Sequence, residues 1–307
     1  MSRWIKKYDL SIILHGLILM LLLLFLGAAT AKADKSLIMV SILPQKYFVE
    51  KIAGDILDSF DVKVMVLPGA SPATYEPTPS QMLQLSRARV YFSIGVPFER
   101  SWLPRFASTY PDLTIVATDA GFAKRTIRGH RHHDDGHGHS HSHGEDFPDP
   151  HIWLSPELVK YQAITILDAL QAHFPDKAAA FTAGYESFID EIEGIDREIR
   201  KILESQKGRS FFVFHPSWGY FADAYELEQI PVEVGGREPT PGELAVMIRQ
   251  AREKDAVAVF VQPQFSQRSA TIIANAINAD LVVLDPLAEN WGENLIKAAR
   301  ALRDHAR

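Results

Sequence analysis

The feature that most constrains this fold is a long amphipathic helix with a set of short β-rich runs on each side. Over residues 175–206, apolar residues recur in steps of three and four, the spacing of one buried helix face. They are Phe181, Tyr185, Phe188, Ile192, Ile195, Ile199 and Ile202. The β-rich runs are SLIMVSIL, VKVMVLPG, RVYFSIG and LTIVATDAG before the helix, and SFFVFH, PVEVGG, AVAVFVQP and ADLVVLDPL after it. The pattern predicts an α/β fold of two lobes, each with a mostly parallel four-stranded sheet.

This reading makes the long helix a rigid linker between the lobes. We expect an N-terminal lobe over residues 34–174, the linker helix over 175–206 and a C-terminal lobe over 207–307. The alternative is a coiled coil with a partner chain, but the apolar repeat is short for one. Sheet-rich halves on both sides favour the linker.

Composition excludes several classes of protein. The 307 residues are 47% hydrophobic and 23% charged, which is typical of a globular chain and not of a disordered one. Because the formal net charge is −6, the chain is a poor candidate for binding nucleic acid. It has no cysteine, so any bound metal must be held by His, Asp, Glu or water.

Residues 1–33 have the layout of a secretory signal peptide. Basic residues near the start precede a long apolar stretch, and Ala31 and Ala33 follow it in an A-x-A arrangement. An uncleaved membrane anchor is the alternative, because the apolar stretch is long for a signal. The A-x-A arrangement favours cleavage and a periplasmic location.

A histidine-rich stretch, RGHRHHDDGHGHSHSHGED, lies within residues 124–146 of the predicted N-terminal lobe. Gly, His, Ser and Asp bury too little apolar surface to order a segment, so we expect a mobile surface loop. Its imidazoles could collect zinc, copper or nickel, but their spacing specifies no single geometry. We therefore interpret the loop as an accessory and not as the specific metal site.

Three polar residues stand where ligands bind in open α/β folds, near the carboxyl ends of strands. His215 ends SFFVFH, Asp285 ends LVVLD, and His151 precedes a helix start at Ser155 and Pro156. Taken singly, each histidine could be a satisfied core residue, and Asp285 could cap a turn. Together they suggest one shared site.

Five motifs, in order along the chain, resemble the zinc and manganese solute-binding proteins of ABC transporters. They are YEPTPSQ (75–81), DPHIWLSP (149–156), FHPSWGYFADAYEL (214–227), GREPTPGELA (236–245) and LDPL (284–287). The resemblance covers essentially the whole chain after the signal and includes the histidine-rich loop common in zinc members. It implies two α/β lobes bridged by a rigid helix, with the metal in the cleft between them.

The resemblance also implies that His151, His215 and Asp285 are metal ligands. Manganese members place a carboxylate where His215 stands, and an imidazole suits zinc better than a harder oxygen donor does. Zn²⁺ is therefore the expected ion, to be handed to a membrane permease. We expect a monomer that is not an enzyme.

Ala73 departs from the family pattern, because members usually have a histidine ligand at this position. Three protein ligands plus water is the layout of catalytic zinc, whereas structural zinc sites are closed with four. Water, Glu76 or a loop histidine could complete the site. Water is favoured, since TPSQ beside Glu76 indicates a helix start.

The open position leaves two alternatives to high-affinity zinc capture. One is a zinc hydrolase, in which the ion activates water beside Glu76, but the sequence has no H-E-x-x-H or other hydrolase signature. The other is a divergent or disabled metal-binding paralogue with three ligands.

Overall fold

The computed structural model describes residues 35–121, 123–127, 147–234 and 237–305. The predicted signal peptide and the histidine-rich stretch, residues 128–146, lie outside these ranges. Within the described ranges, no helix is both long enough and apolar enough to span a membrane.

The first sheet has four parallel strands in the order β2-β1-β3-β4. The strands are β1 (Ser36–Val40), β2 (Phe60–Val64), β3 (Ala88–Ser93) and β4 (Thr114–Ala117). The helices of this lobe are α1 (Leu43–Ala53), α2 (Pro79–Leu85), α3 (Pro97–Thr109) and α4 (Pro156–His173). The central strands β1 and β3 are largely buried and read as nearly continuous apolar runs, as expected for a parallel sheet covered on both faces.

The predicted histidine-rich loop differs from expectation at its start. Strand β5 (Thr126–Ile127) pairs antiparallel with β6 (Phe147–Pro148). The backbone next to this ribbon is also paired, because Asp149 N–H donates to the carbonyl of Arg125 (2.8 Å). Residues 125–127 are therefore held in the fold, because their backbone groups find hydrogen-bond partners.

The long helix α5 runs from Ala178 to Leu203, between short 3-10 turns at Pro175–Lys177 and Glu204–Gln206. Its predicted apolar face is buried at Phe181, Phe188, Ile192, Ile195 and Ile199. The helix lies close to α1: a Cβ added at Gly184 would lie 2.3 Å from the carbonyl oxygen of Ile52. The lobe boundaries at 174/175 and 206/207 stay a prediction.

The second sheet has four parallel strands in the order β10-β9-β7-β8. The strands are β7 (Ser210–Val213), β8 (Glu228–Pro231), β9 (Ala258–Val261) and β10 (Asp280–Val283). The helices are α6 (Gly219–Ala224), α7 (Pro241–Glu253), α8 (Arg268–Ile277) and α9 (Trp291–His305). The predicted α/β fold with two four-stranded sheets and a long helix is thus confirmed.

An aromatic cluster joins helices that are far apart in the sequence. Phe48 of α1 packs edge-on against Trp291 of α9, with ring centroids 5.3 Å apart, and lies 5.6 Å from Phe188 of α5. All three side chains are buried. Such pairs add about 0.5–1.5 kcal/mol beyond the buried area. The C-terminal helix therefore packs on the linker helix and the first lobe.

Glu99 of α3 is a buried carboxyl group at the carboxyl edge of the first sheet. It accepts hydrogen bonds from the backbone N–H groups of Ile94 (3.0 Å) and Gly95 (2.7 Å) and from the Ser41 hydroxyl. Burial raises its pKa to about 7, although these hydrogen bonds act in the opposite direction. The folded protein therefore holds this proton more tightly than the unfolded chain does.

Because the pKa of Glu99 is raised on folding, its contribution to stability is full below pH 4.5 and is lost as the pH rises through about 7. The loss should total about 3 kcal/mol, at about 1.4 kcal/mol per pKa unit. Denaturant unfolding across this pH range would measure it. We expect Glu99→Gln, which cannot ionise, to remove this part of the pH dependence; equal slopes for both proteins would contradict the assignment.

Candidate metal centre

His151 immediately precedes the short 3-10 turn Ile152–Leu154, which leads towards α4. Helix α4 begins at Pro156 as predicted, although the Ser155 side chain makes no capping hydrogen bond. Asp149 Oδ1 accepts a hydrogen bond from the His151 backbone N–H (3.0 Å) and lies 2.6 Å from Nδ1. This contact favours a proton on Nδ1 and leaves the Nε2 lone pair for a metal.

Burial controls the protonation of His151. Its side chain is buried, and desolvation lowers its pKa, while attraction to Asp149 opposes this shift. Asp149 is also buried, at 1% exposure. The environment therefore favours the neutral imidazole, which is the form that coordinates metals.

His215 follows β7 by two residues and is held by its backbone and its ring. Its backbone N–H donates to Gln262 Oε1 (3.1 Å), and its ring stacks on Phe265 with centroids 4.6 Å apart. Nδ1 lies 2.8 Å from Oε1 of Glu233, a buried carboxylate just after β8. As in His151, this contact favours a proton on Nδ1 and leaves the Nε2 lone pair for a metal.

The two histidines meet across the lobes, with ring centroids 5.2 Å apart. With Zn–N distances of about 2.0 Å and tetrahedral angles, two imidazoles on one zinc ion would have centroids about 5 Å apart. The separation of His151 and His215 therefore fits a shared ion. Their role as ligands stays a prediction.

Asp285 lies two residues after β10, at the same edge of the second sheet as His215, because β7, β9 and β10 run parallel. Its Oδ1 accepts hydrogen bonds from the Leu287 backbone N–H (2.9 Å) and Gln264 Nε2 (2.7 Å). The next residue, Pro286, accepts a hydrogen bond from Trp153 Nε1 (2.7 Å). Nevertheless, the described residues contain no group of three or more His, Asp or Glu side chains assembled to hold a metal. The structure brings the histidines together but does not complete the set.

Ala73 and Glu76 are exposed residues of the segment between β2 and α2. The TPSQ sequence starts α2 as predicted: Thr78 is the N-cap, and its side chain accepts a hydrogen bond from the Gln81 backbone N–H. The TPSQ motif next to Glu76 therefore has a structural role as the start of α2. Upstream, Leu67 and Gly69 line a cavity of about 100 Å³ that Asp285 also lines.

The hydrogen-bond partners of the two histidines were not identified from the sequence. Asp149 and Glu233 fill that role. The contact of Asp149 could have been predicted from the sequence, because Asp149 stands two residues before His151 and can turn back onto it. The contact of Glu233 with His215 could not have been predicted from the sequence, because it depends on the pairing of β7 and β8.

Arg125 was not identified from the sequence either. It lies just before the histidine-rich stretch and contacts the second lobe. Tyr220 Oη accepts from the Arg125 backbone N–H (2.9 Å) and donates to the Asp149 carbonyl (3.1 Å). The Arg125 Nε lies 3.5 Å from Asp223 and 3.8 Å from Asp149. A Cβ at Gly219 would lie 1.7 Å from Arg125 Nη1, so a larger residue there would displace the Arg125 guanidinium from its present position.

The sequence matches the family model described as "Zinc-uptake complex component A periplasmic" over residues 38–304. The chain belongs to this family. One relative in this zinc-uptake family is the high-affinity zinc uptake system protein ZnuA of Bacillus subtilis (strain 168). It is 26% identical over 263 residues, which are 85% of this chain and 81% of the relative. The resemblance inferred from the five motifs is confirmed.

Two solved ZnuA structures have the same fold as this member of the zinc-uptake family. A crystal structure of ZnuA is 39% identical, with a TM-score of 0.80 and coverage of 89% of this chain and 100% of that one. A ZnuA deletion mutant with zinc bound is also 39% identical, with a TM-score of 0.79 and coverage of 89% and 98%. The deletion mutant shows that this relative binds zinc without the deleted residues.

We expect Glu233→Gln to weaken zinc binding about 10-fold or more, because outer-shell partners of metal-bound histidines typically contribute 10–100-fold. The amide keeps the size of the side chain but loses the charge that makes the His215 imidazole a stronger donor. Competition against a chelator would measure the change. Glu228→Gln, on β8 and bonded to Ser210 and Lys254, is the matched control and should leave zinc affinity unchanged.

Proposed function

We propose that this protein captures a zinc ion with high affinity in the cleft between its lobes and delivers it to the membrane permease of an ABC importer. The observation that carries the proposal is the pair formed by the buried His151 and the partly buried His215, whose rings lie 5.2 Å apart. Each ring presents Nδ1 to a carboxylate, which leaves both Nε2 atoms for one ion. Two imidazole donors suit zinc better than manganese.

Asp285 is the third ligand in this proposal. Its Oδ1 is engaged by two hydrogen bonds, so Oδ2 is the oxygen we assign to the ion. Because the described residues contain no complete ligand group, a side-chain adjustment would have to accompany zinc entry. We assign the fourth position to water; Glu76 and a loop histidine are the alternatives.

The proposal includes a periplasmic, monomeric protein with a cleaved signal peptide and no catalytic activity. Membership of a zinc-uptake family supports transport over hydrolysis. The carboxylates next to the pair, Asp149 and Glu233, are engaged with imidazoles, which argues against either acting as a general base. Glu76 is exposed.

The histidine-rich stretch is, in our proposal, an accessory that binds further ions weakly. Support comes from its composition and from the position of its ends: β5 and β6 lie next to the segment that carries His151. Its imidazoles must be neutral to coordinate, so this weak binding should fade below about pH 6.

Titration of metal-stripped protein with zinc tests the ligand assignment. We expect His215→Ala to weaken the tightest site more than about 100-fold, since loss of a ligand should exceed the 10–100-fold effect of an outer-shell change. Unchanged affinity would contradict the assignment and favour a disabled paralogue or a different site.

Deletion of residues 130–143 is the control for the loop. The number of bound ions should fall while the tightest dissociation constant stays the same. An equal loss in the tightest site would instead show that a loop histidine fills the fourth position.

Replacement of Ala73 tests the open position. If the segment keeps the family backbone, Ala73→His should close a four-coordinate site and bind zinc about tenfold tighter, equivalent to about 1.4 kcal/mol. Chelator competition, with residues 130–143 deleted from both proteins, would measure the difference. Unchanged or weaker binding would mean that another protein group already fills the position.

A further inference from the structure

Gln264 controls how Asp285 can present its carboxylate. The two hydrogen bonds to Asp285 Oδ1 come from different parts of the chain: Gln264 Nε2 at 2.7 Å, from the loop after β9, and the Leu287 N–H at 2.9 Å. A carboxylate oxygen has about two lone-pair sites, so Oδ1 is saturated. Oδ2 is the oxygen that remains for a metal.

The amide of Gln264 is held in this orientation at a cost. Its Oε1 is buried and accepts no hydrogen bond from any residue in the described part of the chain. A buried unsatisfied acceptor costs about 1–3 kcal/mol. The opposite orientation would bring Oε1 against the Asp285 carboxylate, where two acceptors repel. An apolar side chain would avoid this cost, so the amide is better explained by its effect on Asp285 than by stability.

We propose that Gln264 is a specificity-determining positioning residue, which limits Asp285 to one-oxygen coordination and so favours zinc over manganese. Zinc is satisfied by four ligands, including nitrogen donors, whereas manganese suits six-coordinate, oxygen-rich sites. An Asp285 that could offer both oxygens would supply an additional hard donor. Gln264 removes that option by occupying Oδ1. The inference rests on the proposed function, because it assumes that Asp285 is a ligand.

Gln264 is well placed for this role. It lines the cavity of about 100 Å³ together with Asp285 and with Leu67 and Gly69 of the first lobe. It also lies two residues after Gln262, whose amide is bonded to both the backbone N–H and the carbonyl of His215. One short segment therefore positions two of the predicted ligands.

The test is the ratio of zinc to manganese affinity in the full chain, measured by competition with a chelator strong enough to suppress weak loop sites. Gln264→Leu removes the hydrogen bond and the buried acceptor while keeping a similar volume. We expect manganese to gain relative to zinc, so that the affinity ratio falls by about tenfold, the lower limit for outer-shell effects. Gln264→Met is a second, more flexible variant should the leucine fail to fold.

Stability distinguishes this role from a structural one. We expect the metal-free Gln264→Leu protein to unfold with nearly unchanged stability, because removing the buried unsatisfied acceptor offsets the loss of the hydrogen bond to Asp285. A purely structural residue would weaken both metals equally and leave the ratio unchanged, and that result would overturn the proposal. Gln267→Leu, at an exposed glutamine in the same loop, is the matched control and should preserve the ratio.

The outcome also separates this inference from the proposed function. If zinc binding depends on His215 but Gln264→Leu leaves the ratio of zinc to manganese affinity unchanged, only the inference about Gln264 fails. If His215→Ala leaves the tightest zinc affinity unchanged, the proposed site itself fails, and this inference with it.

Discussion

The arrangement of the candidate site depends on Trp153, because this side chain contacts both lobes. Its indole N–H donates to the Pro286 carbonyl (2.7 Å), next to Asp285, and its own carbonyl accepts from the Trp291 indole N–H (2.6 Å). Its ring lies 5.1 Å from that of His151. Both indoles are 1% exposed, and hydrogen bonds in a low-dielectric interior are costly to leave unmade. Packed side chains therefore set the position of the Asp285 segment relative to His151.

Each histidine receives its orientation from its own lobe. Asp149 holds His151 within the first lobe, and Glu233 holds His215 within the second. Both rings are thus held in fixed orientations, so coordination of an ion as we propose would cost little side-chain entropy. Together, Asp149 and Glu233 place two carboxylates against the two imidazoles, an arrangement whose negative charge a divalent cation would neutralise.

Hydrophobic periodicity was sufficient to predict both sheets and the long helix, because burial of one face determines these elements locally. The positions of His215 and Asp285 could also be predicted, since parallel strands bring their carboxyl ends to one edge. Contacts between distant segments could not be predicted. Tyr220 meets Arg125 only through packing of the lobes, and Gln264 meets Asp285 only after β9 and β10 pair. Such contacts depend on side-chain direction, which no spacing along the chain records.

The ribbon β5–β6 also bears on how this chain can change in evolution. Its pairing, and the hydrogen bond from Asp149 to Arg125, fix both ends of the intervening residues beside His151. For a flexible connection, doubling the length costs only about 0.6 kcal/mol of closure entropy. Insertions, deletions and changes of histidine content between these ends can therefore accumulate without displacing His151. Variation in the histidine-rich stretch is in this way separated from the hydrogen bonds that orient His151.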